Sequence, residues 1–285
     1  MKVAKTIKSV RTLVAAARKT GKTIGFVPTM GALHEGHTSL IDRCAKNGDF
    51  VVVSIFVNPT QFGPGEDLAK YPRPLKADLK ICKDHGVDVV FVPTPAEVYG
   101  SGNLAWVNVE ELSRPLCGRF RPGHFRGVAT VCAKLFNIVR PDVAYFGQKD
   151  AQQLAVIKRM VADLNFPLKV VACPTVRAAD GLALSSRNRY LSQEQRKDAT
   201  CIYRSLATAR KMINAGTTNP KTITAQMRKI LNAAGSLGSI DYVSIVDADT
   251  LQDLRRIEGS VLIAVAVRIG PTRLIDNILV DATKR

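Results

Sequence analysis

Two histidines three residues apart, His34 and His37, follow a short apolar segment of the chain. They end the sequence PTMGALHEGH (28–37), which begins where a predicted strand ends and finishes where a predicted helix begins. Open α/β sheets bind ligands at such positions. Gly31 and Gly36 permit close approach of the main chain, the start of a helix offers N–H groups to phosphate oxygens, and both imidazoles can face the anion. The pattern predicts a phosphate-binding site.

Two alternatives to a phosphate site stay open for this histidine pair. An H-x-x-H pair on a helix can bind a metal ion, although no third histidine, cysteine or carboxylate stands at ligand spacing here. Ordinary packing of both rings is the second alternative, since a lone histidine is more often structural.

Two further polar segments follow predicted strands. Asn58 to Phe62 (NPTQF) follows the second strand, so the Gln61 amide stands at a strand's carboxyl end, where it can hydrogen-bond a small polar substrate. Gly147 to Gln153 (GQKDAQQ) opens a helix after another strand, and Lys149 offers a positive charge to phosphate. The structural alternatives are an Asn-Pro turn in the first segment and a helix cap at Asp150 in the second.

Leu184 to Asn188 (LSSRN) follows the Asp180-Gly181 turn and offers two hydroxyls and a guanidinium, groups that suit a triphosphate. A solvated polar loop is the alternative. A last segment, Gly270 to Asn277 (GPTRLIDN), is predicted to be structural.

Alternating helices and strands must position these segments. Helical spacing or strand-like apolar runs are found in the ranges Thr6–Lys19 (helix), Thr23–Thr29 (strand), from about Thr38 (helix), Phe50–Val57 (strand), Leu75–His85 (helix), Val87–Val92 (strand), Arg126–Val139 (helix), Val143–Phe146 (strand), Ala151–Leu164 (helix) and Leu168–Cys173 (strand). This alternation predicts an α/β fold with a Rossmann-like parallel sheet, covered on both faces by helices, over residues 1–176.

The alternation of strands and helices ends after about Val176. Helical stretches at Gln193–Ala215 and Pro220–Ala234 precede strand-like runs near Tyr242, at Val261–Val267 and at Leu274–Val280. Residues 177–285 are therefore predicted to form a smaller C-terminal α+β domain.

Composition narrows the class of protein. Hydrophobic residues make up 46% of the chain, as in globular proteins, and the longest largely apolar stretches are far shorter than the roughly 20 residues of a membrane-spanning helix. The six cysteines include no C-x-x-C pair, which favours a reducing, cytoplasmic location. The net charge of +17 suggests a polyanion partner, but the basic residues are scattered, which favours a solvated surface and a phosphate-bearing substrate over nucleic acid or membrane.

The sequence His-x-Gly-His at 34–37 resembles the signature of the nucleotidyltransferase superfamily, which includes the class I aminoacyl-tRNA synthetases. The fuller string PTMGALHEGH, followed in order by NPTQF, GQKDAQQ, LSSRN and GPTRLIDN, resembles the pantothenate synthetase (pantoate–β-alanine ligase) family in particular. The resemblance extends from Pro28 to Asn277, nearly the whole chain.

This resemblance implies an ATP-dependent condensation of pantoate with β-alanine to pantothenate, AMP and pyrophosphate through an enzyme-bound pantoyl adenylate. Mg²⁺ would accompany the ATP, with protein ligands for the metal unassigned. It also implies a homodimer, and a C-terminal domain that closes as a lid during turnover because a mixed anhydride must be kept from water.

The resemblance also assigns roles to residues. The catalytic set is His37 as proton donor, His34, Lys149, Ser185, Ser186 and Arg187. ATP-binding positions are Met30, Gly31, Ala32, Leu33, His34, Glu35, Gly36, His37, Gly147, Gln148, Lys149, Asp150, Val176, Leu184, Ser185, Ser186 and Arg187. Pantoate and β-alanine would be bound by Gln61, Gln153 and Asn58.

Two other functions compete with this interpretation. Another member of the superfamily, adding a nucleotide to a phosphorylated cofactor precursor, would share the histidines but would not obviously need the Asn58 to Phe62 segment or Gln153. A nucleic-acid-binding module would explain the charge, but the chain shows no basic helix and only 6% aromatic residues for stacking.

Overall fold

The computed structural model describes residues 1–283 of the 285-residue chain. These residues form two compact units. The first unit comprises Met1–Ser113, Arg121–Gln148 and Gln153–Pro174, and the second comprises Arg114–Phe120, Lys149–Gln152 and the chain from Thr175 onward. The units are interleaved along the chain, a feature that local periodicity does not reveal.

The secondary structure alternates as far as β6. In chain order the strands are β1 (Lys2–Ala4), β2 (Ile24–Thr29), β3 (Phe50–Ile55), β4 (Val89–Phe91), β5 (Val143–Gly147), β6 (Lys169–Cys173), β7 (Leu237–Asp247), β8 (Ser260–Ile269) and β9 (Thr272–Asp281). The helices are α1 (Ile7–Lys19), α2 (Glu35–Lys46), α3 (Leu75–Asp84), α4 (Pro95–Tyr99), α5 (Glu110–Ser113), α6 (Cys117–Phe120), α7 (His124–Val139), α8 (Ala151–Asp163), α9 (Gln193–Asp198), α10 (Thr200–Asn214) and α11 (Pro220–Asn232). Short 3-10 turns occur at Pro59–Gln61, Gln148–Asp150 and Ser186–Tyr190.

The first unit is built on a parallel sheet with the strand order β1-β4-β3-β2-β5-β6. Strand β2 is central, and the chain runs to β3 on one side of it and to β5 on the other. The order therefore reverses between β2 and β5, and a ligand site is expected at the carboxyl ends of these two strands. The PTMGALHEGH loop follows β2, and the Gly147–Gln153 segment begins at the end of β5.

The core of the first unit follows from the apolar spacing of its helices. Helix α2 buries Leu40, Ile41 and Cys44, which lie on one helical face and pack in a cluster with Val27 of β2 and Val53 of β3. The central strands are almost wholly buried, so side chains on both faces of the sheet are apolar.

The second unit contains an antiparallel sheet with the order β7-β8-β9. Strand β8 is buried continuously from Val261 to Val267, and helices α10 and α11 bury residues such as Leu206 and Met227 in the same cluster. The predicted parallel sheet and the predicted smaller α+β part are thus both confirmed.

Helix α2, strand β1 and the α9–α10 pair differ from the sequence prediction. Helix α2 begins at Glu35 rather than near Thr38, because His34 itself caps the helix. Strand β1, only three residues long, was not predicted and forms the sheet edge beside β4. The single helix predicted over Gln193–Ala215 is two helices, α9 and α10, which meet at Ala199.

Within residues 1–283, no helix combines the length and the apolar character that crossing a membrane requires.

Close packing of α7 against the Pro59–Gln61 turn gives a stability prediction. A Cβ added at Gly127 would lie 2.8 Å from the Gln61 Cα and closer still to the Thr60 carbonyl oxygen, both of them main-chain atoms. We expect Gly127→Ala to lower the free energy of unfolding by about 1–3 kcal/mol through overpacking, measured by urea unfolding. Gly102→Ala is the matched control, since nothing lies within 4 Å of its added Cβ. Equal midpoints for the two variants would contradict this packing.

Candidate active site

The two predicted phosphate-contacting histidines stand at the start of α2. His34 caps the helix, and its Nδ1 accepts a hydrogen bond of 3.1 Å from the Gly36 main-chain N–H. The Nδ1 of His37 accepts in turn from the His34 main-chain N–H at 3.3 Å, and the ring centroids are 4.2 Å apart. A Cβ at Gly36 would come within 2.8 Å of the His34 ring, so a larger residue there would displace that ring.

These two hydrogen bonds fix the tautomer of both rings. Because each Nδ1 accepts a main-chain N–H, a neutral ring must carry its proton on Nε2. The Nε2 atoms of His34 and His37 are then hydrogen-bond donors whenever the rings are neutral. Such donors suit an anionic oxygen.

The loop that leads to the histidines is held by a buried carboxylate on α3. Asp78, 1% exposed, accepts hydrogen bonds from the main-chain N–H groups of Ala32 and Leu33, each at 2.9 Å. Ala32 has a φ of 52°, which is unfavourable for a residue with a Cβ, and Gly31 has a φ of 81°. The Asp78 carboxylate therefore stabilises a loop conformation that the local sequence does not favour.

Asp78 was not predicted from the sequence. One signal was present: Asp78 falls on the same predicted helix face as Leu75, Leu79 and Cys82, and a carboxylate on an apolar face needs a partner.

Gln61, predicted to bind substrate, lies in the turn after β3 and is 8% exposed. Its Oε1 accepts from the Asn58 Nδ2 at 3.1 Å, and its Nε2 donates to the Met30 sulfur at 3.1 Å. The structure thus brings Gln61 and Met30 together at the carboxyl ends of β2 and β3.

Asn58, also predicted to bind substrate, is 1% exposed and is surrounded by protein partners. Its Nδ2 donates to Gln61 Oε1 and to the Gly127 carbonyl, and its Oδ1 accepts from Thr60 and from the Tyr99 hydroxyl at 2.7 Å. This geometry favours a role in orienting the Gln61 amide.

The main chain of Gln61 is held by a second group, from the start of α7. His124 Nδ1 lies 2.8 Å from the Gln61 carbonyl oxygen, and an Arg121 Nη atom lies 3.3 Å from the same oxygen. Arg121 also lies 3.0 Å from His124 Nε2, so the imidazole donates through Nδ1 and accepts at Nε2. Glu66 binds Arg121 through both carboxylate oxygens, at 2.8 and 2.6 Å. Sequence periodicity gave no signal for this group.

The remaining predicted residues of the first unit lie in two parts of the chain, one around His34 and one after β5. Ala32 and Leu33 are buried in the loop, Glu35 is in the first turn of α2, Gly147 ends β5, Gln148 begins the following 3-10 turn, and Gln153 lies in the first turn of α8.

Residues Lys149–Gln152 of the predicted Gly147–Gln153 segment belong to the second unit. Lys149 Nζ lies 3.6 Å from an oxygen of Asp150, and the Lys149 main-chain carbonyl accepts a 2.7 Å hydrogen bond from the Asn277 side chain. Gln152 is the second residue of α8, and its side chain is buried. The side chain accepts from the Cys117 N–H at 3.0 Å and donates to the Pro115 carbonyl at 2.7 Å. Hydrogen bonds therefore hold the chain at both ends of the range Lys149–Gln152.

The predicted serine and arginine loop is also in the second unit. Ser185 caps the 3-10 turn Ser186–Tyr190 by accepting from the Arg187 N–H at 3.3 Å. At the base of the loop, the Leu184 N–H donates to the Val176 carbonyl at 3.0 Å, which brings these two predicted ATP-binding positions together.

Among residues 1–283, no group of three or more histidine, cysteine, aspartate or glutamate side chains could hold a metal ion. The metal alternative for His34 and His37 therefore gains no further ligand from the part of the chain that is described.

The parallel sheet, with a glycine- and histidine-containing loop at its switch point, defines a nucleotide-binding α/β enzyme. The family model described as pantoate-beta-alanine ligase matches residues 2–279. The chain belongs to the pantoate–β-alanine ligase family.

Individual relatives agree with this. The pantothenate synthetase of Moorella thermoacetica is 54% identical over 99% of both chains. The crystal structure of pantothenate synthetase from Thermus thermophilus is 45% identical, with a TM-score of 0.92 over 98% of this chain and 99% of that one. A pantoate-beta-alanine ligase structure from Francisella tularensis, complexed with "Beta-gamma ATP" and β-alanine, is 37% identical, with a TM-score of 0.81 over 98% and 97%. The predicted family and its ligase activity are confirmed, whereas the roles of single residues stay predictions.

The Asp78 contact gives a prediction for the loop. Asp78→Asn removes the charge and one acceptor, so one buried main-chain N–H loses its partner; we expect the free energy of unfolding to fall by about 2–3 kcal/mol. Ligase activity should fall at least about tenfold, because the histidines lose their fixed geometry. Urea unfolding and AMP release measure the two effects. The control is Asp84→Asn on the same helix, whose carboxylate pairs with the exposed Lys80. If Asp78→Asn behaves like this control, the loop does not depend on Asp78.

The Glu66–Arg121 pair gives a pH prediction. The hydrogen bonds and charge of Arg121 outweigh the effect of burial, which alone would raise the pKa of Glu66, and hold that pKa below its ordinary value. The stabilisation is therefore complete above the unfolded-state pKa of about 4.3 and is lost as the pH falls through the lower folded-state pKa. We expect the difference in unfolding free energy between wild type and Glu66→Gln to be largest near pH 7 and to shrink below about pH 4. Urea titrations of both proteins between about pH 3 and pH 7 test this prediction. A difference in unfolding free energy that does not depend on pH would show that it does not come from the Glu66–Arg121 pair.

Proposed function

We propose that this chain ligates pantoate to β-alanine through a pantoyl adenylate, with ATP bound by the residues assigned to it from the sequence. The observation that carries the proposal is the histidine pair: two Nε2–H donors at the switch point of the sheet, in a loop fixed by Asp78. Donors held in place before the reaction stabilise developing charge most effectively.

In the proposed first step a carboxylate oxygen of pantoate attacks the α-phosphorus of ATP. A new P–O bond forms, the bond to the bridging oxygen of the β-phosphate breaks, and pyrophosphate leaves. Negative charge grows on the phosphoryl oxygens and on the departing pyrophosphate. We assign His34 and His37 to the phosphates as hydrogen-bond donors through Nε2, with His37 donating to the leaving group. In the neutral tautomer set by the Nδ1 contacts, His37 keeps its proton, because losing it would leave an imidazolate. The other donors to the triphosphate would be Lys149, Ser185, Ser186 and Arg187.

The nucleotide would be bound further by main-chain and small groups around these donors. We propose that this set consists of Met30, Gly31, Ala32, Leu33, Glu35, Gly36, Gly147, Gln148, Asp150, Val176 and Leu184.

Pantoate would be bound by the side-chain amides of Gln61 and Gln153. The Gln61 Nε2 donates to the Met30 sulfur, which is a weak acceptor, so a substrate oxygen can replace it at little cost. Because the Asn58 Nδ2 donates to the Gln61 Oε1, the amide is oriented with its Nε2 toward the Met30 sulfur. We propose that Asn58 acts through Gln61 in this way.

In the proposed second step the neutral amine of β-alanine attacks the acyl carbon of the adenylate. The C–N bond forms, the bond from the acyl carbon to the phosphate oxygen breaks, AMP leaves, and the nitrogen releases one proton to water as it becomes an amide. Exclusion of water matters here, because the mixed anhydride hydrolyses readily.

We propose that Mg²⁺ enters with ATP and is held by phosphate oxygens and water, as is usual for this ion. The described residues contain no metal-binding cluster that fits it. A homodimer and a cytoplasmic location are further proposals; the latter is supported by six buried cysteines, all in the thiol form.

The test is AMP formation from ATP, Mg²⁺ and pantoate, with and without β-alanine. We expect turnover to require both substrates. His37→Ala should lower kcat by about 10²–10³, the range for removing one donor to a transition-state oxyanion. Gln61→Ala should raise KM for pantoate about tenfold, as for one lost hydrogen bond.

Two variants serve as controls. His85→Ala changes a partly exposed histidine that pairs with Asp42, and Gln226→Ala changes an exposed glutamine. Both should keep wild-type kinetics. ATP cleavage that does not need pantoate, or His37→Ala with an unchanged kcat, would refute the proposed chemistry.

A further inference from the structure

The segment Gly270–Asn277, predicted to be structural, contacts Lys149 of the proposed ATP-binding set and Arg177, all within the second unit. Asn277 Nδ2 donates to the Lys149 main-chain carbonyl at 2.7 Å. The neighbouring Asp276 accepts from both terminal nitrogens of Arg177, at 2.6 and 3.0 Å. Asp276 and Asn277 are 3% and 7% exposed. Two adjacent buried polar residues therefore hold two separate parts of the chain.

Arg177 stands at the base of the serine and arginine loop. Its guanidinium also donates to the Gly181 and Asn277 carbonyls, at 3.1 and 3.2 Å, and lies 4.4 Å from the centre of the Tyr203 ring. Arg177 pairs with Ala183 through a β-bridge, directly before Leu184 and the loop residues 185–187. The Arg177–Asp276 pair therefore fixes the point from which the loop starts.

We propose that Asp276 and Asn277 are positioning residues for the triphosphate. Asn277 acts through the main chain of Lys149, and Asp276 acts through Arg177 on the loop that carries Ser185, Ser186 and Arg187. This inference rests on the proposed roles of those residues in ATP binding.

The chemistry of the pair fits such a role. A lysine side chain is long and flexible, so its ammonium reaches one place reliably only if the main chain beneath it is fixed. In the range Lys149–Gln152, the Asn277 hydrogen bond holds the main chain at Lys149, and the Gln152 contacts hold the other end. Asp276 is paired with Arg177, and Asn277 is uncharged, so neither adds an unpaired negative charge near a polyanion.

The first test uses Asn277→Ala and the two half-reactions. Pantoate-dependent exchange of pyrophosphate into ATP reports the adenylation step, in which Lys149 contacts the triphosphate. We expect kcat/KM for ATP in this exchange to fall on the order of tenfold, as for one lost hydrogen bond. Formation of pantothenate from chemically prepared pantoyl adenylate and β-alanine should stay within about twofold of wild type, because no triphosphate is present.

The control variant is Asp247→Ala. Asp247 accepts hydrogen bonds from Asp249 and Thr250 in a turn after β7, in the same unit, and these partners lie outside the proposed ATP-binding set. It should lower the unfolding midpoint without changing either half-reaction. If Asn277→Ala folds poorly, Asn277→Asp, which keeps the shape but not the donor, replaces it.

The second test is a double-mutant cycle with Lys149→Ala. If Asn277 acts through Lys149, Asn277→Ala should have little further effect in the Lys149→Ala background. If Asn277→Ala lowers kcat/KM for ATP by the same factor in both backgrounds, or slows both half-reactions, the role of Asn277 is overturned. The proposed role of Lys149 would then still stand. A Lys149→Ala variant with wild-type exchange would instead overturn the proposed role of Lys149, and the inference with it.

Discussion

The hydrogen bonds from the Ala32 and Leu33 main chain to the buried Asp78 carboxylate are the contact on which the histidine pair depends. A left-handed conformation at a residue with a Cβ costs about 1–2 kcal/mol, and Ala32 adopts it at the turn that redirects the chain from β2 into α2. Charge-assisted hydrogen bonds offset that cost. The capping hydrogen bonds at His34 and His37 can form only once the turn is in place, and these set the direction of both Nε2 donors.

The residues assigned to the proposed reaction supply two kinds of donor. One kind consists of the imidazoles of His34 and His37 and the amide of Gln61, which hydrogen bonds hold in the segments that follow β2 and β3. The other kind consists of the basic side chains of Lys149 and Arg187. The Lys149 main-chain carbonyl accepts from Asn277 of strand β9, and Asp276 of the same strand pairs with Arg177. A pantoate carboxylate and a triphosphate repel each other, so fixed positive donors are needed before attack on phosphorus can occur. Gln61 and Gln153, being uncharged, can select pantoate without competing for the phosphates.

Much of this organisation could be predicted from the sequence. Helical and strand-like spacing gave the long elements of both units, and strand-to-helix junctions with glycine gave the His34–His37 and Lys149 segments. What could not be predicted depends on contacts between residues distant in sequence. The loop before His34 is held by Asp78, and Gln61 is held by Arg121 and His124, across sequence separations of 45 to 63 residues. Local periodicity cannot predict such contacts. The placement of 114–120 and 149–152 with the second unit was invisible for the same reason. The start of α2 was misplaced because a histidine served as its cap, a position where serine, threonine, aspartate or asparagine is the usual signal.

The most direct measurement of the central claim, activation of pantoate as an acyl adenylate, is the fate of oxygen from the pantoate carboxylate. Pantoate labelled with ¹⁸O in its carboxylate is incubated with the enzyme, ATP, Mg²⁺ and β-alanine, and the AMP is analysed by mass spectrometry. If the carboxylate attacks the α-phosphorus and the amine then attacks the acyl carbon, one labelled oxygen must remain on the phosphate of AMP. The account predicts AMP carrying that label. Unlabelled AMP, formed at the same rate as pantothenate, would contradict it.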